Sequence, residues 1–399
     1  MPVVSGLLFR LPNPAMTHHR EDRMSIRNVY STIASFENVM KAENDASKNK
    51  REDKEVLEFR SKYEDNIYDL VHAMRVVPPT TYRHFYLQEP KLRKVIFIDY
   101  KSKIVQRAIY NVLNPIVCKG FINDTFSCIE HRGQLSAMQR IKSWMQYAAS
   151  TGRKWYYYKL DVEKFFYRMD HGVLMDIFEK KIGDKQTLYL LDHYLNHATV
   201  PFGLPLGIKS PVIPMEMMLW DVGIAIGGGL SHMEANMYMD VLDQECKRNL
   251  GIKFYIRYMD DIIILSDDKN QLHDWRDHIQ EFIGDKLKLT LNDRCALRPI
   301  GQGIEFVGYR IWPNYVTLRK STTLRMKHRL ADVARQYHDH EITLHRAFQT
   351  AASYEGMLRH CDCKELKDKI WKDFILTHND LDVMFEEDPW SELSLFWNL

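Results

Sequence analysis

From Ser25 onward the apolar positions repeat with a helical period. Val29, Ile33, Phe36 and Met40 share one face, and beyond the polar stretch ENDASKNKRED the set Val56, Phe59, Tyr63, Ile67 and Leu70 shares another. This spacing predicts two amphipathic helices. The period then changes: in VVPPTTYRHFYLQEPKLRKVIFID, Pro78 and Pro79 stop a helix and β-rich stretches flank a turn at Pro90. A basic β-hairpin followed by a helix over 103–113 is expected there. WYYYKLDV (155–162) predicts a strand that delivers Asp161 at its end, with a helix following in HGVLMDIFEKKI. GLPLG and IGGG read as loops. SHMEANMYMDVLDQECKRNL predicts a helix with Ser231 as its N-cap, and Glu234, three positions on, completes a capping box. GIKFYIRY and IIIL predict the two strands of a hairpin with Asp260 and Asp261 at its tip. Leu272, Trp275, Ile279 and Phe282 mark an amphipathic helix, GIEFVGYRI and YVTL another hairpin, and the chain from Leu324 reads as helical. The expected fold class is α+β, with a helical C-terminal module.

Composition narrows this without redirecting it. In 399 residues the apolar fraction is 45% and the charged fraction 27%, which excludes a disordered chain and suggests two or three packed subdomains. The net charge of +2 is unevenly spread. Six Lys/Arg between 91 and 107 face one acid, Asp99; six between 319 and 335 face Asp332; the last twenty-odd residues are acidic. Such asymmetry points to a polyanion held at particular surfaces. The six cysteines have no framework spacing, and HCDC (360–363) has no second ligand pair downstream, so reduced thiols in a cytosol are the simpler reading. No apolar run is long enough for a membrane span, since Glu216 and Asp221 interrupt the best candidate. MPVVSGLLFRLPNPAM does not read as a signal peptide, and residues 1–24 are expected to be a leader.

The adjacent carboxylates Asp260 and Asp261 raise each other's pKa and repel, a cost that a cation between them would remove. An Asp-rich turn is the plain alternative. Asp161 changes the balance: a strand-end carboxylate and a hairpin-tip pair, deliverable to one sheet edge, offer the converging oxygens that hard cations need. Two Mg²⁺ ions held this way suit phosphoryl transfer, by hydrolysis or by polymerisation.

YMDD in a hairpin, preceded by LDVEKFF and followed by GIEFVGY, resembles the palm of a reverse transcriptase, and the likeness extends over about 25–370. The resemblance implies a right-hand polymerase with an antiparallel palm sheet and an α-helical thumb. Residues 25–154 would form N-terminal helices and fingers, 155–312 the palm with part of the fingers, and 313–399 the thumb and acidic tail. Asp161, Asp260 and Asp261 would be catalytic and bind two Mg²⁺, with Mn²⁺ able to substitute and the backbone carbonyl of Val162 as a further ligand. Phe166, five places after the first aspartate, would block the 2′-OH of an incoming nucleotide, so the product would be DNA; a buried core aromatic is the competing reading. Lys91 and Arg93 would contact the triphosphate. Arg325 and Arg329 would track the template–primer backbone, and GIEFVGY, with Gly308 and Tyr309, resembles the primer grip.

Within the family, STIASFENVMKA, EPKLRKVIF, FINDTFSCIEHRG and SYEGMLRHCD look like segments of the bacterial group II intron and diversity-generating retroelement enzymes. IGGGLSH resembles the retroelement form of the loop before the palm helix, with Ile226, Gly227 and Ser231 in place and His232 where the family usually has Gln. By that likeness Ser231 would meet the nucleotide, and Gly227 and His232 the template. The expected activity is RNA-directed DNA synthesis for mutagenic retrohoming, or, alternatively, for antiphage defence. The implied partners are an RNA template, a DNA or RNA primer, dNTPs, and a small accessory protein or structured noncoding RNA. The expected setting is the cytoplasm of a bacterium, from a bacterial or phage gene. An RNA polymerase, a catalytically silent nucleic-acid binder and a hydrolase are the other classes that three such carboxylates admit.

Overall fold

A computed structural model describes residues 26–76, 78–88, 92–196, 199–210 and 212–377. The leader, the acidic end of the chain and Lys91 lie outside these residues. The strands β1 (Tyr82–Gln88) and β2 (Leu92–Ile98) pair as the expected antiparallel hairpin. The strands β3 (Thr125–Phe126), β4 (Tyr156–Asp161), β5 (Tyr255–Tyr258), β6 (Asp261–Ser266) and β7 (Ala296–Pro299) form one sheet in the order β3-β5-β6-β4-β7. The strands β8 (Ile304–Phe306), β9 (Tyr309–Ile311) and β10 (Val316–Leu318) form a smaller antiparallel sheet. The architecture is mixed α+β as expected, with one departure inside the central sheet: β3 runs parallel to β5.

The side-chain period of two divides the central sheet between two cores. Tyr158, Leu160, Tyr255, Ile262 and Ile264 pack with the N-terminal helices and the helix Ser231–Gln244. Tyr157, Ile256, Ile263 and Leu265 pack on the other face, with the helix Gln134–Ser150, the small sheet and the C-terminal helices. This is why IIIL has no polar alternation: both faces of β6 are covered.

Several local expectations need correction, and the second predicted helix, like the first, is two, Lys54–Arg60 and Tyr63–Val76. The first predicted helix is two, Tyr30–Ile33 and Phe36–Ala46, because Ser35 takes an extended conformation and its side chain accepts the Asn38 backbone N–H as a new N-cap. That restart turns Phe36 and Met40 outward and Val39 and Ala42 inward. The helix expected over 103–113 spans Tyr100–Val117, capped by Asp99. Ser231 is not an N-cap. Leu230 already has helical angles, so the Ser231 hydroxyl turns back and donates to the Gly228 carbonyl at 2.8 Å. Glu234 is buried instead of capping, and burial pushes its carboxyl up to about 8. The C-terminal helical region begins at Lys320 and comprises Lys320–His338, Leu344–Leu358 and Lys364–Asp373. All six cysteines are free. Among the described residues no helix is long and apolar enough to cross a membrane.

One charged pair lies wholly inside the first core. Arg257 on β5 and Asp243 on the helix Ser231–Gln244 are both 0% exposed, with Nη2 to Oδ2 at 2.6 Å and Nε to Oδ1 at 2.8 Å. The Tyr255 and Thr125 hydroxyls donate to the two remaining carboxylate positions, each at 2.6 Å. The Nη1 of Arg257 donates to Asn236 Oδ1 at 3.2 Å and to the Met259 carbonyl at 3.0 Å. Fully satisfied networks of this kind rigidify a core, and removing one partner leaves an unpaired buried charge. Arg257→Leu is therefore expected to cost about 3–5 kcal/mol in denaturant unfolding; a loss under about 1 kcal/mol would show that the pair is not what holds this region.

Candidate active site at the hairpin tip

The hairpin between β5 and β6 closes on the pair Tyr258 and Asp261, leaving Met259 and Asp260 as a two-residue tip. Met259 sits at φ 55°, the left-handed value that a tight hairpin connection demands. On the other side of β6, Asp161 is the register partner of Asp261, so two carboxylates stand side by side on one face at the edge of the sheet. The tip is tied to the segment beyond β4, where the Val162 N–H faces the Asp260 carbonyl at 3.4 Å. The Asp260 carboxyl is pushed up to about 6, chiefly by burial, then by the charges of Asp161 and Asp261; Arg93 on β2 pulls the other way.

Each neighbouring carboxylate has a partner. Asn292 donates its side-chain N–H to Asp161 Oδ2 at 3.1 Å and its backbone N–H to the Asp161 carbonyl at 2.7 Å. Lys159 lies 3.2 Å from Asp261 Oδ1. Among the described residues no three His, Cys, Asp or Glu side chains are gathered as a ready-made metal cage. The donor chemistry nevertheless fits Mg²⁺, which is usually held by one or two carboxylates and completes its shell with water and substrate phosphates.

Beyond β4, Lys164 at φ 50° turns the chain into the short helix Phe165–Arg168. Phe166 is half-buried, its ring meeting the edge of Phe165 at 5.3 Å and of His232 at 6.3 Å. Its carbonyl accepts the Ile224 N–H at 2.7 Å, which fixes the IGGG loop beside it. Gly227 has φ 103°, and a Cβ there would stand 3.2 Å from the Ile96 carbonyl, so the loop can lie on β2 only without a side chain. The Ile226 carbonyl accepts the Ile96 N–H at 3.3 Å, and Gln106 Oε1 accepts the Gly229 N–H at 2.8 Å. Burial lowers the His232 pKa, which favours the neutral imidazole.

The fold thus gathers Asp161, Val162, Asp260 and Asp261 at one edge, with Phe166, Gly227, Ser231 and His232 in an adjoining group. Arg93 is exposed and near enough to act on Asp260, whereas its neighbour Lys94 is buried. Lys94 donates to the Pro201 carbonyl at 2.6 Å and contacts Met218 Sδ at 2.7 Å, so it is not part of an exposed basic cluster. Gly308 and Tyr309 belong to the small sheet. The Tyr309 ring is buried, and the Val307–Gly308 turn precedes it, with Gly308 at φ 90°. Arg325 and Arg329 are exposed one turn apart on the helix Lys320–His338, flanking its buried residues Met326, Leu330 and Val333. Sequence reasoning missed Lys159, Arg257 and Asn292. Lys159 could have been found as the residue two before Asp161 on the same strand face, and Arg257 as a lone charge in an apolar strand. Nothing in TLNDRC marks Asn292.

A strand-end aspartate beside a hairpin with Asp260 at its tip and Asp261 in its closing pair is the arrangement of a polymerase-type palm, and the family described as Reverse transcriptase (RNA-dependent DNA polymerase) matches residues 88–311. The chain belongs to that family. It is 26% identical to the putative COX1/OXI3 intron 2 protein of Saccharomyces cerevisiae over 53% of this chain, and the match spans only 29% of that protein's length. Among solved structures it is similar to apo telomerase from Candida tropicalis, at 13% identity with a TM-score of 0.47, covering 67% of this chain and 54% of that one. Telomerase from Candida albicans in complex with a TWJ fragment of telomeric RNA aligns at 13% identity and a TM-score of 0.41, covering 82% and 58%.

The raised Asp260 carboxyl sets a pH dependence for the metal-free fold. A pKa above the unfolded value means that the stability contribution is complete below about 4 and is lost as pH rises through about 6. Asp260→Asn should therefore raise the melting temperature by a few °C at pH 8 in the presence of a chelator, and the difference should vanish near pH 4. A variant less stable than wild type at pH 8 would contradict the assigned repulsion.

Proposed function

We propose that the protein is an RNA-directed DNA polymerase that extends a primer 3′-OH by phosphoryl transfer at the hairpin tip. The observation that carries this reading is the Asp260 carboxylate, desolvated and pressed by Asp161 and Asp261, within the span matched by the family. Asp161 and Asp260 would hold the cations with the Val162 carbonyl, and Asp261 stands beside them. When bound, Mg²⁺ at these oxygens supplies Lewis-acid activation of the attacking hydroxyl and neutralises charge on the phosphates. The primer 3′-hydroxyl gives up its proton to solvent, its oxygen attacks the α-phosphorus in line and bonds to it, and pyrophosphate leaves with the electron pair of the broken P–O bond.

The protein's own part is placement. Arg93, and Lys91 before it, would receive the triphosphate. Phe166, backed by Phe165 and His232, would occupy the space that a 2′-OH needs. The exposed Arg325 and Arg329 would meet the phosphate backbone of the duplex without reading its sequence. In this reading 25–154 comprise the N-terminal helices and fingers, 155–312 the palm with part of the fingers, and 313–399 the thumb and acidic tail. An RNA template, a DNA or RNA primer and dNTPs are the partners. The IGGGLSH loop favours a bacterial retroelement enzyme acting in the cytoplasm, with diversification of a target gene as its role and antiphage defence as the alternative.

Wild-type protein should incorporate dTTP on poly(rA) primed with oligo(dT), and Asp161→Ala or Asp260→Ala should lower the rate about 10²-fold or more. No synthesis by wild type, or undiminished synthesis by Asp260→Ala, would sink the reading. Phe166→Ala should reduce the preference for dNTP over rNTP by about tenfold or more, measured as a ratio of kcat/KM values. An unchanged ratio would remove Phe166 from the gate role.

A further inference from the structure

A cavity of about 40 Å³ lies among β1, β2, the helix Lys185–Asn196 and the loop at 220–231, and none of Asp161, Asp260, Asp261, Phe166 or His232 lines it. Its walls are apolar at Ile98, Leu195, Phe202 and Ile224, yet two polar groups in it are unmatched. Glu234 is 4% exposed, and among the described residues its carboxyl has neither a hydrogen bond nor an ion pair; burial alone accounts for its pKa of about 8. Tyr194 is 7% exposed, and its buried hydroxyl has no hydrogen-bond partner among the described residues. The remaining polar groups of the lining are engaged. Gln106 donates to the Tyr82 hydroxyl at 3.1 Å and accepts the Gly229 N–H. His171 meets Asn196 Oδ1 at one ring nitrogen and the Gly223 carbonyl at the other, each at 2.8 Å, and Ser231 donates to the Gly228 carbonyl.

The charges that act on this space are negative. Glu234 and Asp99 both push the Tyr82 hydroxyl pKa up, and Asp99 does the same to Tyr194. Among the described residues no Lys or Arg lines the cavity. Lys94, whose Nζ stands 6.0 Å from the Phe202 ring, is engaged by the Pro201 carbonyl and Met218 Sδ. A carboxylate inside a protein is costly without a counter-charge, so Glu234 alone keeps its proton at neutral pH. A neutral guest would leave that acid as it is, whereas a cation with several N–H donors satisfies the carboxylate and the tyrosine hydroxyl together. A primary ammonium brings three such donors. The volume is that of about three waters, which suits a short carbon chain and not a lysine stem with its backbone. The exposed Trp220 is part of the lining, so the cavity meets the surface there.

We propose that this cavity binds a free, short primary alkylammonium, with the cation on the Glu234 carboxylate and the Tyr194 hydroxyl and the chain against Phe202 and Ile224. The proposal does not depend on the polymerase reading. Binding exchanges one cation for another: the Glu234 carboxyl gives its proton to solvent and the carboxylate pairs with the ammonium. Gly228, Leu230 and Ser231 are also in the lining, so an occupant braces the glycine loop.

The test is isothermal titration of the full chain with propylammonium chloride against potassium chloride at equal ionic strength, with melting temperature measured in parallel. Propylammonium should bind at one site and raise the melting temperature, while n-propanol and K⁺ bind about tenfold or more weakly. Titrations at pH 7 in buffers of different ionisation enthalpy should show release of about one proton per ligand. Glu234→Gln should weaken binding about tenfold or more and Tyr194→Phe about threefold, while Asp260→Asn binds as wild type does. Absence of saturable binding by wild type would mean that the cavity holds water only and overturns the proposal. Binding of n-propanol as tight as that of propylammonium, or unaltered binding by a folded Glu234→Gln, overturns it as well. Nα-acetyl-lysine amide binding as tightly as propylammonium would make a protein side chain the source and overturn the free-amine assignment. If Glu234→Gln does not melt cooperatively, the Tyr194→Phe and n-propanol arms decide.

Discussion

The guanidinium of Arg257 reaches, without leaving the core, from a carboxylate on the helix Ser231–Gln244 to the backbone carbonyl immediately before Asp260. Placing that charge where no water reaches is costly, and the cost is offset only because four further groups, the Thr125 and Tyr255 hydroxyls, the Asn236 side chain and the Met259 carbonyl, converge on the pair. Geometry follows from this energetic demand. A bond that must be kept on pain of an unpaired buried charge leaves Met259 little freedom, and with Met259 fixed in the left-handed region the direction of Asp260 is set. The sheet, the helix after the IGGG loop and the hairpin tip are thereby one rigid unit.

That rigidity is directed against the tip's own electrostatics. Asp260 is desolvated and sits near two like charges, an arrangement that a free hairpin would relax by splaying. Here the Val162 N–H, the Asp161–Asp261 register and the Arg257 bond all oppose relaxation. The result is a site whose charge is stored and partly compensated: Lys159 stands at Asp261, Arg93 at a distance from Asp260, and the Asn292 amide at Asp161. Stability is given up at the place where a cation would return it, the usual trade at functional sites.

A similar division appears around the loop at 225–232. Three glycines in a row read in the sequence as a loop, and each is approached closely by atoms of β2 or of Gln106, with Gly227 at φ 103°. The glycines permit close approach to β2, and the approach brings His232 against Phe166. Leu230, just before the helix, already has helical angles, and the capping box that the residue pattern implied does not form.

Much of the fold was legible in the chain because it depends on local pattern: the period of two in WYYYKLDV and FYIRY, the doubly buried run IIIL, the Pro-bounded hairpin over 82–98, and the amphipathic face of 269–287. The carboxylates Asp161, Asp260 and Asp261 were legible for a related reason, since charges at the ends of apolar strands have few structural uses. Their electrostatic roles were not, because these depend on partners far away in sequence: Asn292 lies 131 positions from Asp161, and Lys159 lies 102 from Asp261. Burial likewise separated Lys94 from Arg93, and Tyr309 from Gly308, though each pair is adjacent in the chain. Periodicity along a strand specifies which face a side chain takes; only packing between strands, helices and loops specifies what that face meets, and charge compensation at the tip is set by those meetings.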